Sequence, residues 1–241
     1  MLTERESRAA AWPAPLSWIV AVMLALVLPL SFVAAGASVL PGDVAISRAV
    51  QGNLPGILDP LIVAANTLGS TPSMLAIAAV VALGLFLKGY RQPGAVVVAA
   101  TLAQAANVAL KLTLESPRPT SSLVHVSEQT TGYGFPSGHT MGTTVMAFIL
   151  VYVASTTMAA GFRRRSVQAG LLLMPLLVGV SRIETGAHWP SDVLGAWLWG
   201  ALVGIAIITL SRPSWSAVRF PAIRSSRPVS SSIAIGDLSG D

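Results

Sequence analysis

The chain has 241 residues, 53% of them hydrophobic and only 10% charged, with no cysteine and a formal net charge of +5. A soluble domain carries about a quarter of its residues charged, so this composition points to an integral membrane protein. It excludes a disulfide framework and a thiolate metal site, and the lack of aromatic-basic interleaving excludes nucleic acid as a partner.

Residues 1–17 are polar and read as a cytoplasmic N-terminal segment. The uncharged run Trp18–Leu40 can cross a hydrocarbon core of about 30 Å. It outlasts the apolar heart of a signal peptide, so an uncleaved anchor is expected. Pro41–Asp59 is mixed and reads as an outside segment with short amphipathic pieces. Leu61–Leu68 reads as a short interfacial or buried helix, stopped at Gly69-Ser70-Thr71-Pro72. Further spans are expected at Ser73–Leu87, Pro93–Leu114, His139–Met158, Val167–Ser181 and Pro190–Leu210. The span at Val167–Ser181 is short and is expected to kink at Pro175. Thr120–Gly134 reads as a loop and Gly161–Arg165 as a basic turn. Residues 211–241, rich in Ser, Arg and Pro, read as a disordered cytoplasmic tail. The expected fold class is all-α: a polytopic six-transmembrane-helix bundle formed by residues 18–210.

Topology follows from charge. With both termini in the cytoplasm, the inside holds Arg5, Arg8, Lys88, Arg91, Arg163, Arg164, Arg165, Arg212, Arg219, Arg224 and Arg227, which is 11 of the 15 basic residues. Retention of Lys and Arg on the cytoplasmic side is the normal bias. The outside keeps Arg48, Lys111, Arg118 and Arg182. Three polar motifs from different spans then share the outer face: Lys111-x6-Arg118-Pro119, Pro136-Ser137-Gly138-His139, and Ser181-Arg182-x5-His188-x3-Asp192.

This set calls for an anion. Lys111, Arg118 and Arg182 supply positive charge, and the arginine fork suits phosphate oxygens. Ser137 and Gly138 precede a helix start, where free N–H groups bind anions and serine is a good cap. His188 can be a nucleophile and His139 a general acid. Pro190 suits the first position of a helix, which puts Asp192 in its first turn, ready to orient His188. Lys111 alone would read as a snorkelling helix-end lysine, but beside the other two motifs it reads as a phosphate contact. Glu115 and Glu184 read as solvated or counter-charge residues and His125 as a loop histidine. Arg163–Arg165 reads as topological, and Trp18, Trp189, Trp197 and Trp199 as belt or packing residues.

The three linked motifs resemble the type 2 phosphatidic acid phosphatase superfamily, which includes membrane lipid phosphatases and soluble vanadium haloperoxidases. The resemblance implies a lipid phosphatase without a divalent cation, with His188, Asp192 and His139 catalytic and with Lys111, Arg118, Ser137, Gly138 and Arg182 holding phosphate. No metal site and no cofactor is expected. The expected partners are a lipid phosphate and the bilayer itself, in the plasma membrane. A polyprenyl (undecaprenyl-type) diphosphate is the first choice of substrate, with phosphatidate or phosphatidylglycerophosphate next. A transporter would place its ionisable groups near the midplane, whereas here they sit at span ends. A haloperoxidase does not fit six spans, and a catalytically dead binding protein would not keep every motif residue.

Overall fold

The computed structural model describes residues 14–37 and 39–211. The expected cytoplasmic segment as far as residue 13, and the basic tail from residue 212, lie outside them. Among the described residues all regular structure is helical. Helices α1 (Ala14–Gly36) and α2 (Asp43–Asn53) are followed by a single 3-10 turn, Gly56–Leu58. Then come α3 (Asp59–Gly69), α4 (Thr71–Leu87), α5 (Arg91–Ala100) and α6 (Ala103–Leu114). The described residues end in α7 (Gly138–Thr157), α8 (Phe162–Glu184) and α9 (Pro190–Ser211).

Among the described residues, five helical stretches are long and apolar enough to cross a membrane, with α5 and α6 counted together, and the α3–α4 pair makes six. The pair is bent by 71°, at the expected Gly-Ser-Thr-Pro break. Ser70 leaves the helix with an extended backbone, and its hydroxyl accepts from the Ser73 N–H. Pro72 then sits in the first turn of α4, where a missing N–H costs nothing.

The structure corrects several boundaries. The span expected at Pro93–Leu114 is broken at Thr101–Leu102 into α5 and α6. The expected short span at Val167–Ser181 is a helix of 23 residues that runs through Pro175. It absorbs the expected basic turn, placing Arg163–Arg165 in its first turn, and it ends at Glu184. Pro175 has no N–H for the Leu171 carbonyl one turn back, and the indole N–H of Trp197 holds the helix at this point by donating to the Pro175 carbonyl at 2.9 Å.

Helix α7 is the axis of the bundle and packs against α3, α4, α5, α6, α8 and α9. Its Val145, Met146, Ile149 and Val153 form one core with Met74, Ala78 and Ala82 of α4 and with Val96, Val97 and Ala100 of α5. Its buried Thr143 and Thr144 return their hydroxyls to carbonyls one turn back, so neither is stranded in the apolar interior. Gly200 and Gly204 of α9 face it. A Cβ on Gly200 would stand 2.7 Å from Thr144, and one on Gly204 2.9 Å from Phe148. Small residues four apart allow this close approach in membrane helices, where lipid offers no hydrophobic drive to associate. Phe32, Val80, Leu87 and Leu102 are turned outward, a surface suited to hydrocarbon. Helix α1 is peripheral, resting on α9 and α6.

Candidate active site

All three motifs converge at one end of the bundle. Helix α6 carries Lys111 in its last turn and stops at Glu115, whose left-handed backbone (φ 48°) closes the helix. The chain leaving it sets Arg118 between the other two motifs. Arg118 Nε donates to the Gly132 carbonyl at 2.9 Å, and Nη1 to the Ala187 carbonyl at 2.8 Å. Lys111 Nζ donates to the carbonyls of Tyr133 and Gly134 at 2.5 and 3.0 Å. The cations of the first motif therefore anchor the approach to the second and the centre of the third.

The second motif is held by backbone bonds. The Gly134 N–H donates to the Ser116 carbonyl at 2.7 Å, and the Ser137 N–H to the Asp192 carbonyl at 3.2 Å. The space at Gly134 is tight, since a Cβ there would lie 3.0 Å from Asp192 Oδ2 and from the Pro117 carbonyl. Helix α7 begins at Gly138, so its first N–H groups have no helical acceptor. Ser137 occupies the cap position, but the expected side-chain cap is not made. Its hydroxyl accepts from Thr140 Oγ1 at 3.1 Å instead, because the two side chains share a sealed pocket in which neither can reach water. His139 is half-buried, and among the described residues its ring has no hydrogen-bond partner.

The third motif contains the decisive geometry. Pro190 opens α9 and Asp192 lies in its first turn. Asp192 Oδ2 accepts from the Trp189 N–H at 3.0 Å and lies 3.1 Å from His188 Nδ1. On the other side of the ring, His188 Nε2 lies 3.1 Å from Arg118 Nη1. A guanidinium can only donate, so Nε2 must present a lone pair and Nδ1 must carry the proton donated to Asp192. Burial pushes the His188 pKa well below the usual imidazole range, and the nearby charges of Arg118, Lys111, Arg182 and His139 push it the same way. The ring is neutral at physiological pH, with Nε2 as its free base.

Arg182, 1% exposed, is part of the cluster but faces another partner. Its two terminal nitrogens donate to Glu128 at 2.8 and 3.0 Å, and Nη1 also donates to Asn66 Oδ1. Burial would raise the Glu128 pKa, but the hydrogen bonds from Arg182 and Asn66 and the Arg182 charge outweigh it, and the carboxyl is held below its ordinary value. Beside this pair a cavity of about 310 Å³ is lined by Arg118, Glu128, Gln129, Gly186 and Ala187.

The structure thus brings His188, Asp192 and Arg118 into direct contact, with Lys111, His139 and Arg182 in electrostatic reach of His188. Glu115 stands apart as a helix terminator, His125 is an exposed loop residue, and Glu184 ends α8. Four polar residues not singled out by the motifs also matter: Glu128, Asn66, Asn107, whose amide donates to the Pro136 carbonyl at 3.2 Å, and Asp43. Asn107 lies one helical turn before Lys111 in an apolar helix, and that spacing was its only signal.

The family model described as PAP2 superfamily matches residues 92–216, just over half of the chain, and takes in all three motifs. The chain belongs to the PAP2 superfamily. Phosphatidylglycerophosphatase B of Haemophilus influenzae is 34% identical over 85 residues, which are 35% of this chain and 35% of that one. Undecaprenyl-diphosphatase BcrC of Bacillus subtilis is 30% identical over 107 residues, 44% of this chain and 50% of that one. The chain thus spans half or less of the length of these curated relatives. The crystal structure of the first transmembrane PAP2 type phosphatidylglycerolphosphate phosphatase from Bacillus subtilis superposes with a TM-score of 0.70 at 22% identity, covering 84% of this chain and 98% of that one. At that identity the likeness establishes the PAP2 fold, a multi-pass helical membrane protein.

Proposed function

We propose that this PAP2 protein is a membrane lipid phosphatase that removes a terminal phosphate through a phosphohistidine. The observation that carries the reading is His188, buried and neutral, with Nδ1 on Asp192 and Nε2 facing the Arg118 guanidinium. An incoming phosphate takes over the Arg118 donor and leaves Nε2 free to attack. The Nε2–P bond forms as the bond from phosphorus to the leaving oxygen breaks, and His139 gives that oxygen a proton. Asp192 accepts from Nδ1–H throughout and offsets the positive charge on the ring. Water then attacks phosphorus, His139 takes its proton, and the N–P bond breaks to release phosphate and neutral His188. Lys111, Arg118, Arg182 and the first N–H groups of α7 receive the charge of the five-coordinate transition state. These cations fill the role a metal would have, so the reaction is proposed to need none.

A polyprenyl diphosphate is the substrate we favour. Similarity to undecaprenyl-diphosphatase BcrC supports it, as does an apolar groove of about 570 Å³ lined by Leu28, Phe32, Leu110, Leu114 and Trp199. Phosphatidylglycerophosphate is the second reading, supported by similarity to phosphatidylglycerophosphatase B. Residues 18–210 form the proposed phosphatase domain, in the plasma membrane with the site outside. The bent α3–α4 pair, read as one span, makes the count even, which supports both ends of the bundle on one side; the bias of Lys and Arg supports the cytoplasm as that side.

Phosphate release by purified protein from a lipid panel tests the activity and ranks the substrates. Turnover in EDTA and inhibition by vanadate are expected; activity restored only by magnesium would overturn the metal-free reading. Cysteines introduced at Ser127 and Ser230 test the face, and an impermeant thiol reagent is expected to label only the first in intact cells.

A further inference from the structure

Asp43 belongs to none of the motifs and lies upstream of the PAP2 match, which starts at residue 92. It is 3% exposed, a costly place for a carboxylate unless its oxygens are satisfied. The start of α9 explains the cost. Trp189 stands before Pro190, and Asp192 reaches back to the Trp189 N–H. That is the return half of a capping box. The forward half needs an oxygen on the side chain at the cap, and tryptophan has none. Asp43 supplies it from far away in sequence: Oδ1 accepts from the Ser191 N–H at 2.9 Å and Oδ2 from the Ser191 hydroxyl at 2.8 Å. Oδ2 also accepts from the Leu40 N–H at 3.1 Å, which fixes the start of α2.

Helix α2 then braces the rest of the third motif. Gln51, two turns after Asp43, donates to the carbonyls of Ile183, Glu184 and His125. Both sides of the segment that carries His188 are thus gripped by one external helix. Resting on the phosphatase reading above, we propose that Asp43 is a positioning residue for the His188–Asp192 pair. It acts through Ser191 to fix the first turn of α9, and so the aim of the Asp192 carboxylate at His188 Nδ1.

Three variants of the full chain, Asp43→Ala, Asp43→Asn and Ser191→Ala, are compared for phosphate release, vanadate inhibition and the imidazole N–H resonances of labelled histidine. Asp43→Ala is expected to lower kcat about 10- to 100-fold, the scale of a small misplacement at the reacting centre. KM and vanadate inhibition should stay unchanged, because the cations are untouched, and the His188 Nδ1–H resonance should broaden or shift. Asp43→Asn keeps an acceptor for the Ser191 N–H and should recover most of kcat. Ser191→Ala loses one of two bonds and should fall between. Wild-type kcat in Asp43→Ala would overturn the inference, and so would loss of kcat, KM and vanadate binding in parallel, the mark of a purely structural brace. Should Asp43→Ala fail to fold, wild-type kcat in both other variants would overturn it equally. An unaltered protein that released phosphate from no lipid would instead refute the phosphatase reading, while the His188 resonance would still report on Asp43.

Discussion

Arg182 and Glu128 meet through two hydrogen bonds, at 2.8 and 3.0 Å, with the planar guanidinium matched to the planar carboxylate. This is the geometry by which arginine grips a phosphate. On the proposed reading of Arg182 as a phosphate contact, Glu128 sits where a phosphate oxygen pair would go, and substrate binding would exchange one anion for the other. The partner Asn66, on α3, holds both Arg182 and Glu128, so the exchange can leave Arg182 in place.

Glu128→Gln is expected to strengthen inhibition by vanadate and inorganic phosphate by up to about tenfold, the worth of roughly 1.4 kcal/mol. The competing charge is removed while the shape is kept. Weaker inhibition in this variant would mean that Glu128 orients Arg182 for the anion instead of competing with it.

The two histidines should separate by leaving group. His188→Ala removes the proposed nucleophile and is expected to abolish turnover on every substrate. His139→Asn should cost most, about 10²–10⁴-fold in kcat, where an alkoxide must depart and needs a proton. A lipid monophosphate departing from a diphosphate needs less help, so the loss there should be smaller. Equal losses on phosphatidate and on a prenyl diphosphate at saturating substrate would assign His139 to phosphate binding alone.

Titration of His188 offers a direct check, since the chain has only three histidines. Its folded pKa lies well below the ordinary 6.5, so the neutral Nδ1–H tautomer should persist in nitrogen NMR spectra as pH falls through 6.5. The sign for stability follows. The unfolded chain takes up the proton near 6.5 and the folded one resists it. The stability His188 contributes is complete above that pH and drains away as pH falls toward the folded value. A His188 resonance titrating at 6.5 or higher would contradict the buried, cation-flanked geometry.

Gly195→Ala tests the fit beneath the second motif. A Cβ there would fall 2.2 Å from the ring of Phe135, which is fully buried. The ring has to move and takes Pro136 and Ser137 with it. Overpacking of this kind costs about 1–3 kcal/mol, read as a lower melting temperature in detergent together with reduced turnover. Unchanged melting would show that the Phe135 pocket can give.

The convergence of these groups was legible because charged residues stand out in a chain so apolar, and Lys111, Arg118, His139, Arg182, His188 and Asp192 lie in three motifs that the structure brings to one end of the bundle. The turn at Gly69-Ser70-Thr71-Pro72 was legible for the same local reason. What stayed hidden acts across the fold. Asp43 and Ser191 are 148 residues apart, and Asn66 reaches Glu128 across 62. Single polar residues leave no periodicity, and only folding reveals their partners. The Ser137 cap was misread because local preference yields to a neighbour: Thr140 holds its hydroxyl.

Helix α8 joins two basic ends, Arg163–Arg165 in the first turn and Arg182 in the last, over 23 residues without a break. At about 1.5 Å per residue it is a strut of roughly 34 Å, slightly longer than a hydrocarbon core of about 30 Å. The depth of the proposed phosphate cradle is therefore set by a fixed length in the protein, while acyl chains set the thickness around it. In a thin bilayer the strut must lean, and in a thick one the lipid must dimple toward the cradle. If the protein is the phosphatase proposed above, acyl-chain length becomes a variable of turnover, and vesicles graded in thickness, with the substrate held constant, are expected to reveal an optimum.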